Sequence, residues 1–464
     1  MIRRLLLASL FALTAVPATQ AQVFEPSPRL VPPPTRTVRT VNPNRPTQTL
    51  GLRLDLLGGY DRNEVPPAPS QPTQQTTVAQ PTVNFRPSSY RGSGTATLRY
   101  QRSTASRSLN LGGSGGANIY SSNGYANVSG AAPGPIYSSS ANGSFTSSLG
   151  RKNTLALTQS VSRSPYMAFG LFNQQTAGTI VYDADGNPVN NLIDGYTIAV
   201  NSTASLGRSW ARGASTTVTY GYQRRTDERS AVDLYQNDHS GTLSYVQSLG
   251  RSIGFNLSYH VANRQAQQVG LERHDVVHGV TGGMQARIGI SRSRALTLAG
   301  GGGADLIDVA GFANRYWQPN FYGNLGVDIG RSWVVSAHYS QASSVVNSPI
   351  STPDSYLTQS GVLSTSGGIG RRVDVVVNAG FTSGNVDAVH SVAGASGDFT
   401  GVTGAAQVRT ALTSRWSLLV GVNYYRSELS GAASQFLQTP SDFQRTSVRL
   451  GMSWSIPLYD TTPR

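Results

Sequence analysis

Two short clusters invite a chemical reading. His274-Asp275-x-x-His278 has the spacing of a metal-binding pair on a helix, where residues four apart share a face. On a strand the same two imidazoles stand about 13 Å apart, too far to hold one cation. Asp183-x-Asp185-Gly186-Asn187 opens like a calcium loop but lacks the distal glutamate that completes one, so an Asp-Gly turn between short strands is the simpler reading. Six histidines and many serines supply the residue types of a rim protease or lipase, yet no spacing points to such a group. The chain has no cysteine, which removes thiol redox and thiolate-metal chemistry. No cofactor and no metal are expected, and the chain is not read as an enzyme.

A third pattern is more regular. Arg53, Asp55, Arg99, Arg287, Asp374, Asn378, Arg409, Asn423 and Arg449 alternate with apolar residues in runs of about ten, the span of a membrane-crossing strand. The hairpin Leu243 to Val261 is the clearest unit. Leu243, Tyr245, Ile253, Phe255, Leu257, Tyr259 and Val261 take one face, and Ser244, Ser248, Gly254, Asn256, Ser258 and His260 take the other, around the turn Leu249-Gly250-Arg251-Ser252. A set of Gly, Ser, Thr, Asn and Arg fills a core poorly, because burying Gly and Ser gains little and a buried Arg or Asp needs a partner. Such a face suits the wall of a water-filled lumen, with the apolar face turned to lipid.

The elements that carry these residues keep one rhythm, unbroken after residue 93 across a chain of 464 residues, which favours one barrel over several soluble domains. Downstream of the leader no run approaches the roughly 20 apolar residues of a membrane helix. A membrane span would therefore be made of strands closed into a barrel, since every backbone polar group must be satisfied in lipid. Tight connections are expected at Thr104 to Arg107, Gly150 to Asn153, Gly207 to Gly213, Gly250 to Ser252, Ser291 to Arg294, Gly330 to Ser332, Gly370 to Arg372 and Thr413 to Arg415, with longer ones between. The count gives an all-β, antiparallel up-and-down transmembrane barrel of about 18 strands, within a range of about 16 to 18.

The leader, residues 1–21, has Arg3 and Arg4, an apolar run from Leu5 to Val16, and Ala18 or Ala21 before a cleavage point, the pattern of a secretory signal peptide. Residues 22–48 are rich in proline and arginine and read as an extended periplasmic leash. The barrel is expected over 49–459, with a Pro/Gln-rich external loop at 64–92 and a tail at 460–464. Short turns on one side and long loops on the other place both termini in the periplasm and the barrel in a bacterial outer membrane. Tyr100, Trp210, Trp317, Trp333, Trp416, Tyr424 and Trp454 lie near strand ends, where aromatic girdles meet the headgroups.

The opening strand Leu52-x-Leu54-x-Leu56 ending in Gly59-Tyr60-Asp61-Arg62-Asn63, the repeated long hairpins and the closing strand Val448 to Leu458 resemble the outer-membrane β-barrel porins of the second porin type. The resemblance covers roughly residues 50 to 459. It implies a porin, and for some members a part in surface-polysaccharide export. The chain departs from the usual barrel ending, because Tyr459 is its last aromatic and Asp460 to Arg464 follow it.

An 18-stranded barrel leaves an aqueous channel. The expected function is passive diffusion of small hydrophilic solutes, and the formal charge of +14 with arginine on the polar face favours anions. The competing explanation is compositional, since Lys152 is the only lysine and many arginines sit in turns. The loop from Pro165 to Gly195 carries Tyr166, Phe169 and Phe172, then Asp183 and Asp185, and is a candidate constriction; an external cap or a small hairpin are its alternatives. Expected partners are outer-membrane lipid, small hydrophilic solutes and the barrel-assembly machinery, with no nucleic acid. An accessory barrel for exopolysaccharide export is the alternative function.

Overall fold

The computed structural model describes residues 47–64, 88–120, 136–167, 192–210, 213–228, 234–250, 252–268, 271–291, 294–309, 315–330, 332–346, 354–386, 397–430 and 442–461. The strands run β1 (Thr47–Glu64), β2 (Ser88–Ser103), β3 (Arg107–Tyr120), β4 (Ile136–Leu149), β5 (Asn153–Met167) and β6 (Leu192–Ser209). They continue with β7 (Ala214–Glu228), β8 (Leu234–Ser248), β9 (Ile253–Gln268), β10 (Leu271–Ser291), β11 (Arg294–Val309) and β12 (Tyr316–Ile329). The last six are β13 (Trp333–Val346), β14 (Asp354–Ile369), β15 (Val373–Val386), β16 (Gly397–Ala411), β17 (Trp416–Leu429) and β18 (Asp442–Asp460). Each strand pairs antiparallel with its neighbours in sequence, and β1 pairs with both β2 and β18, so the 18-stranded sheet closes on itself.

All eight expected tight connections are present and all lie on one rim. Five carry a glycine in the left-handed region, among them Gly150 at φ 78°, Gly250 at φ 96° and Gly330 at φ 69°, a conformation that costs an L-residue roughly 1–2 kcal/mol. The start of β1 and the end of β18 meet at this same rim, where the Gln48 amide donates to Thr461 Oγ1 at 2.7 Å. We call it the turn rim and the opposite one the loop rim.

Several boundaries differ from the sequence expectation, always by lengthening strands. β1 continues to Glu64 and β2 begins at Ser88, so residues 88–92 belong to a strand and not to the first long connection. β6 runs on to Ser209, which shortens the turn expected from Gly207. β5 reaches Met167 and β6 starts at Leu192, placing Tyr166 inside a strand. Backbone pairing continues past the last apolar residue because the ladder needs no lipid to persist.

Register fixes which residues share a face, and burial tells which face is concave. On β1, Arg53, Asp55, Leu57 and Asp61 form one set and Leu52, Leu54, Leu56 and Tyr60 the other. Leu56 is 68% exposed, whereas Asp55 and Asp61 are 5% and 2% exposed. Across the seam Leu450 is 57% exposed while its neighbours Ser447 and Arg449 are buried. In a closed barrel the concave face crowds and the convex face opens, so the polar set points inward. The alternation holds round the ring, with a few apolar side chains inside: Ala262, Val277 and Ile307 cluster on β9 to β11, and Leu57 packs over Gly451.

Candidate permeation pathway

The outer surface decides what surrounds the barrel. On β1, Leu50 faces Tyr459 and Tyr100, and ten residues later Tyr60 faces Tyr90 with the ring centroids 5.2 Å apart. Ten residues rise about 33 Å along a strand. At a strand tilt of about 40° this is roughly 25 Å along the barrel axis. That matches the height of the apolar band on membrane barrels, with rings at both edges. Tyr100, Trp210, Trp333, Trp416 and Trp454 lie toward the turn rim, Trp317 and Tyr424 toward the loop rim, and Trp416 stacks on Trp454 at 5.3 Å. Exposed to water, a closed belt of Leu56, Met284, Ile288, Leu450 and their neighbours would forfeit the hydrophobic gain that lipid supplies.

Inside, 18 strands spaced about 4.8 Å and tilted about 40° enclose a ring roughly 35 Å across between backbones. Side chains from opposite walls cannot meet over that distance. Charges must therefore pair sideways along the wall, and they do.

One wall runs from β15 through β18 to β2. Arg445 Nη2 donates to Asp61 Oδ2 at 2.7 Å, both side chains under 5% exposed. Arg53 holds Asp55 at 2.6 Å through Nη2 and donates from Nε to Ser453 Oγ at 2.9 Å. Arg91 donates to Asn118 Oδ1. Arg449 lies opposite Gly59, where a Cβ would press on its side chain at 3.2 Å. Arg409 is the register partner of Asp374, Asn378 accepts from Ser364 Oγ at 2.7 Å, and buried Asn423 faces Ser447. Arg99 stands on the same face of β2, exposed near the turn rim.

The opposite wall, β9 to β12, is built on glycine. From β9, His260 reaches over Gly279 of β10 toward Asp305 of β11, its Nε2 3.4 Å from the carboxylate. From β12, Asn320 donates to Asp305 at 2.7 Å and accepts from Thr281 at 3.3 Å. Tyr322 of β12 crosses Gly301 and Gly283 to bond Asn256 of β9 at 3.1 Å. A Cβ at Gly279, Gly283 or Gly301 would collide with these crossing side chains. Arg287 stands lower on this wall, 3.6 Å from Asp328 of β12. The Thr281 hydroxyl donates to Asn320 and not to the imidazole, so the group lacks the nucleophile-to-base contact of a hydrolytic triad.

All nine residues singled out from the sequence thus share the inward face, eight on the first wall and Arg287 on the second. Tyr166 lies in β5 with its side chain outside the described residues, and Phe169, Phe172, Asp183 and Asp185 lie outside them altogether. Asp275 points inward while His274 and His278 point outward to separate partners, Asn263 and Tyr259. Sequence reasoning does not single out Asp61, Arg91, Arg445, Asp305 or Asn320. Parity alone puts each inside; no sequence signal pairs them.

A sealed sheet, greasy outside and polar inside, decides the architecture. The chain is a closed β-barrel of 18 antiparallel strands. No family model matches its sequence, and no curated protein matches it either. Among solved structures it is similar to Pseudomonas aeruginosa OpdK with vanillate, at 12% identity over 88% of this chain and 99% of that chain, with a TM-score of 0.44. It is similar also to Acinetobacter baumannii OccAB4, at 8% identity over 88% and 98% with a TM-score of 0.44. For Pseudomonas aeruginosa OpdL the figures are 11%, 89%, 99% and 0.42. Scores this low transfer neither substrate nor residue role to this barrel.

Proposed function

We propose that the barrel is an outer-membrane channel for passive diffusion of small hydrophilic solutes, with a preference for anions. The observation that carries this reading is the charge on the first wall. There Arg53, Arg91, Arg99, Arg409, Arg445 and Arg449 face the lumen against Asp55, Asp61 and Asp374. The excess guanidinium groups line one side along the axis, where low-dielectric walls focus their field and concentrate anions. The excess is confined to the first wall, since on the far wall Arg287 lies 3.6 Å from Asp328 and Asp275 and Asp305 also point inward.

The turn rim would face the periplasm, in keeping with the expected leader, a leash ending before Thr47 and assembly by the barrel-assembly machinery. Purified protein in a planar bilayer tests the reading. Stepwise conductance with a reversal potential of anionic sign in a potassium chloride gradient is expected. Arg409→Gln with Arg449→Gln should move that potential toward cations; a cation-selective wild type contradicts the preference, and a barrel that never conducts contradicts the channel.

A further inference from the structure

The outward face of β7 to β10 departs from the rest of the belt at its loop-side edge. On β10, Ile290, Ile288, Met284 and Val280 face lipid over ten residues, which fills the roughly 25 Å apolar band. Immediately beyond them come His278 and His274, on the same outward register. Neighbouring strands add His239 and Arg224 at this level, with Tyr222 paired to His239 and His239 to Asn263. Three strand spacings and four residues of register separate Arg224 from His278, roughly 19 Å, with His239 between them.

Two of these histidines are held by tyrosines. Tyr220 Oη lies 2.8 Å from His239 Nδ1, and Tyr259 Oη lies 2.8 Å from His278 Nδ1. Where tyrosine donates, Nδ1 is the acceptor and the proton of the neutral ring sits on Nε2; where the ring is an imidazolium, both nitrogens carry protons. In both of these states Nε2–H is a donor left for something outside the barrel, whereas a neutral ring protonated at Nδ1 would donate to the tyrosine oxygen and leave Nε2 an acceptor. Elsewhere at this height a cation is met by protein: Arg426 on β17 has Glu428 at 2.6 Å and Asp442 at 3.4 Å. Arg224, His239, His274 and His278 have no carboxylate at ion-pair distance among the described residues. Donors at the edge of hydrocarbon need an acceptor, and the one present there by position is a lipid headgroup.

We propose that this face binds a phosphorylated headgroup of the surrounding leaflet, with Arg224 and the Nε2–H groups of His239 and His278 donating to phosphate oxygens. The Arg224 cation favours a headgroup of net negative charge over a neutral sugar or a zwitterion. The proposal rests on the membrane embedding assumed for the channel but not on conduction. Native mass spectrometry of the full chain in detergent, titrated with diphosphoryl lipid A or with phosphatidylcholine, tests it. Wild type should retain lipid A in preference to phosphatidylcholine, and the triple variant Arg224→Gln, His239→Gln, His278→Gln should bind it at least about tenfold more weakly, as expected for lost charge-assisted hydrogen bonds. The single variant His278→Gln should weaken it less, which covers the case of a triple variant that does not fold. Equal retention of the two lipids, or undiminished lipid A binding by the variants, overturns the proposal. Bilayer conductance of the same samples separates the readings, since these side chains face away from the lumen and conductance should not change.

Discussion

Arg445 and Asp61 lie 384 positions apart in the chain and meet at 2.7 Å inside the barrel. Parity shows that each faces inward; only ring closure between β18 and β1 brings them together, so their pairing was not legible in the sequence. The same holds for His260, Asp305 and Asn320, which come from three strands and meet because glycine clears the strand between. A charge this deeply buried is costly to leave without its partner. Asp61→Ala should lower unfolding stability in urea, in lipid vesicles, by about 3–5 kcal/mol. Asp61→Leu with Arg445→Met should recover most of the loss, because exchanging the whole pair leaves no isolated charge. An Asp61→Ala barrel as stable as wild type would show that the pair carries no such weight.

At the scale of elements the sequence was most informative. Period-two alternation named the faces of β1, β9, β15, β17 and β18, and all eight turns followed from short breaks in that rhythm, four of them Leu-Gly or Ile-Gly steps at residues 149–150, 249–250, 329–330 and 369–370. Strand ends at the loop rim were less legible. There β10 keeps its ladder from Leu271 although His274 and His278 interrupt the apolar face, and hydropathy stops before pairing does. Glycine inside strands also had a hidden purpose. Gly279 admits the His260 and Asp305 side chains, whereas a Cβ added at Gly289 on the same strand would meet nothing within 4 Å. Gly279→Ala should therefore reduce the folded fraction on refolding into vesicles and Gly289→Ala should not, as read by heat-modifiable gel mobility. Equal yields would sink the idea that the glycine row is a platform. At the turn rim, Gly330→Val should cost roughly 1–2 kcal/mol, the strain of a side chain at φ 69°.

For the whole molecule the governing fact is orientation: apolar residues convex, polar and charged residues concave. From it follow the membrane, the aqueous lumen and the sideways pairing of charges on two facing walls. The absence of cysteine allows this to be read one position at a time. Val422 and Asn423 are adjacent on β17, the first 43% exposed and outward, the second 7% exposed and inward. In reconstituted channels, Asn423→Cys should react with a charged, membrane-impermeant thiol reagent and change the single-channel conductance, while Val422→Cys should be silent to it. Reaction at 422 with silence at 423 would invert the barrel and contradict the account at its root.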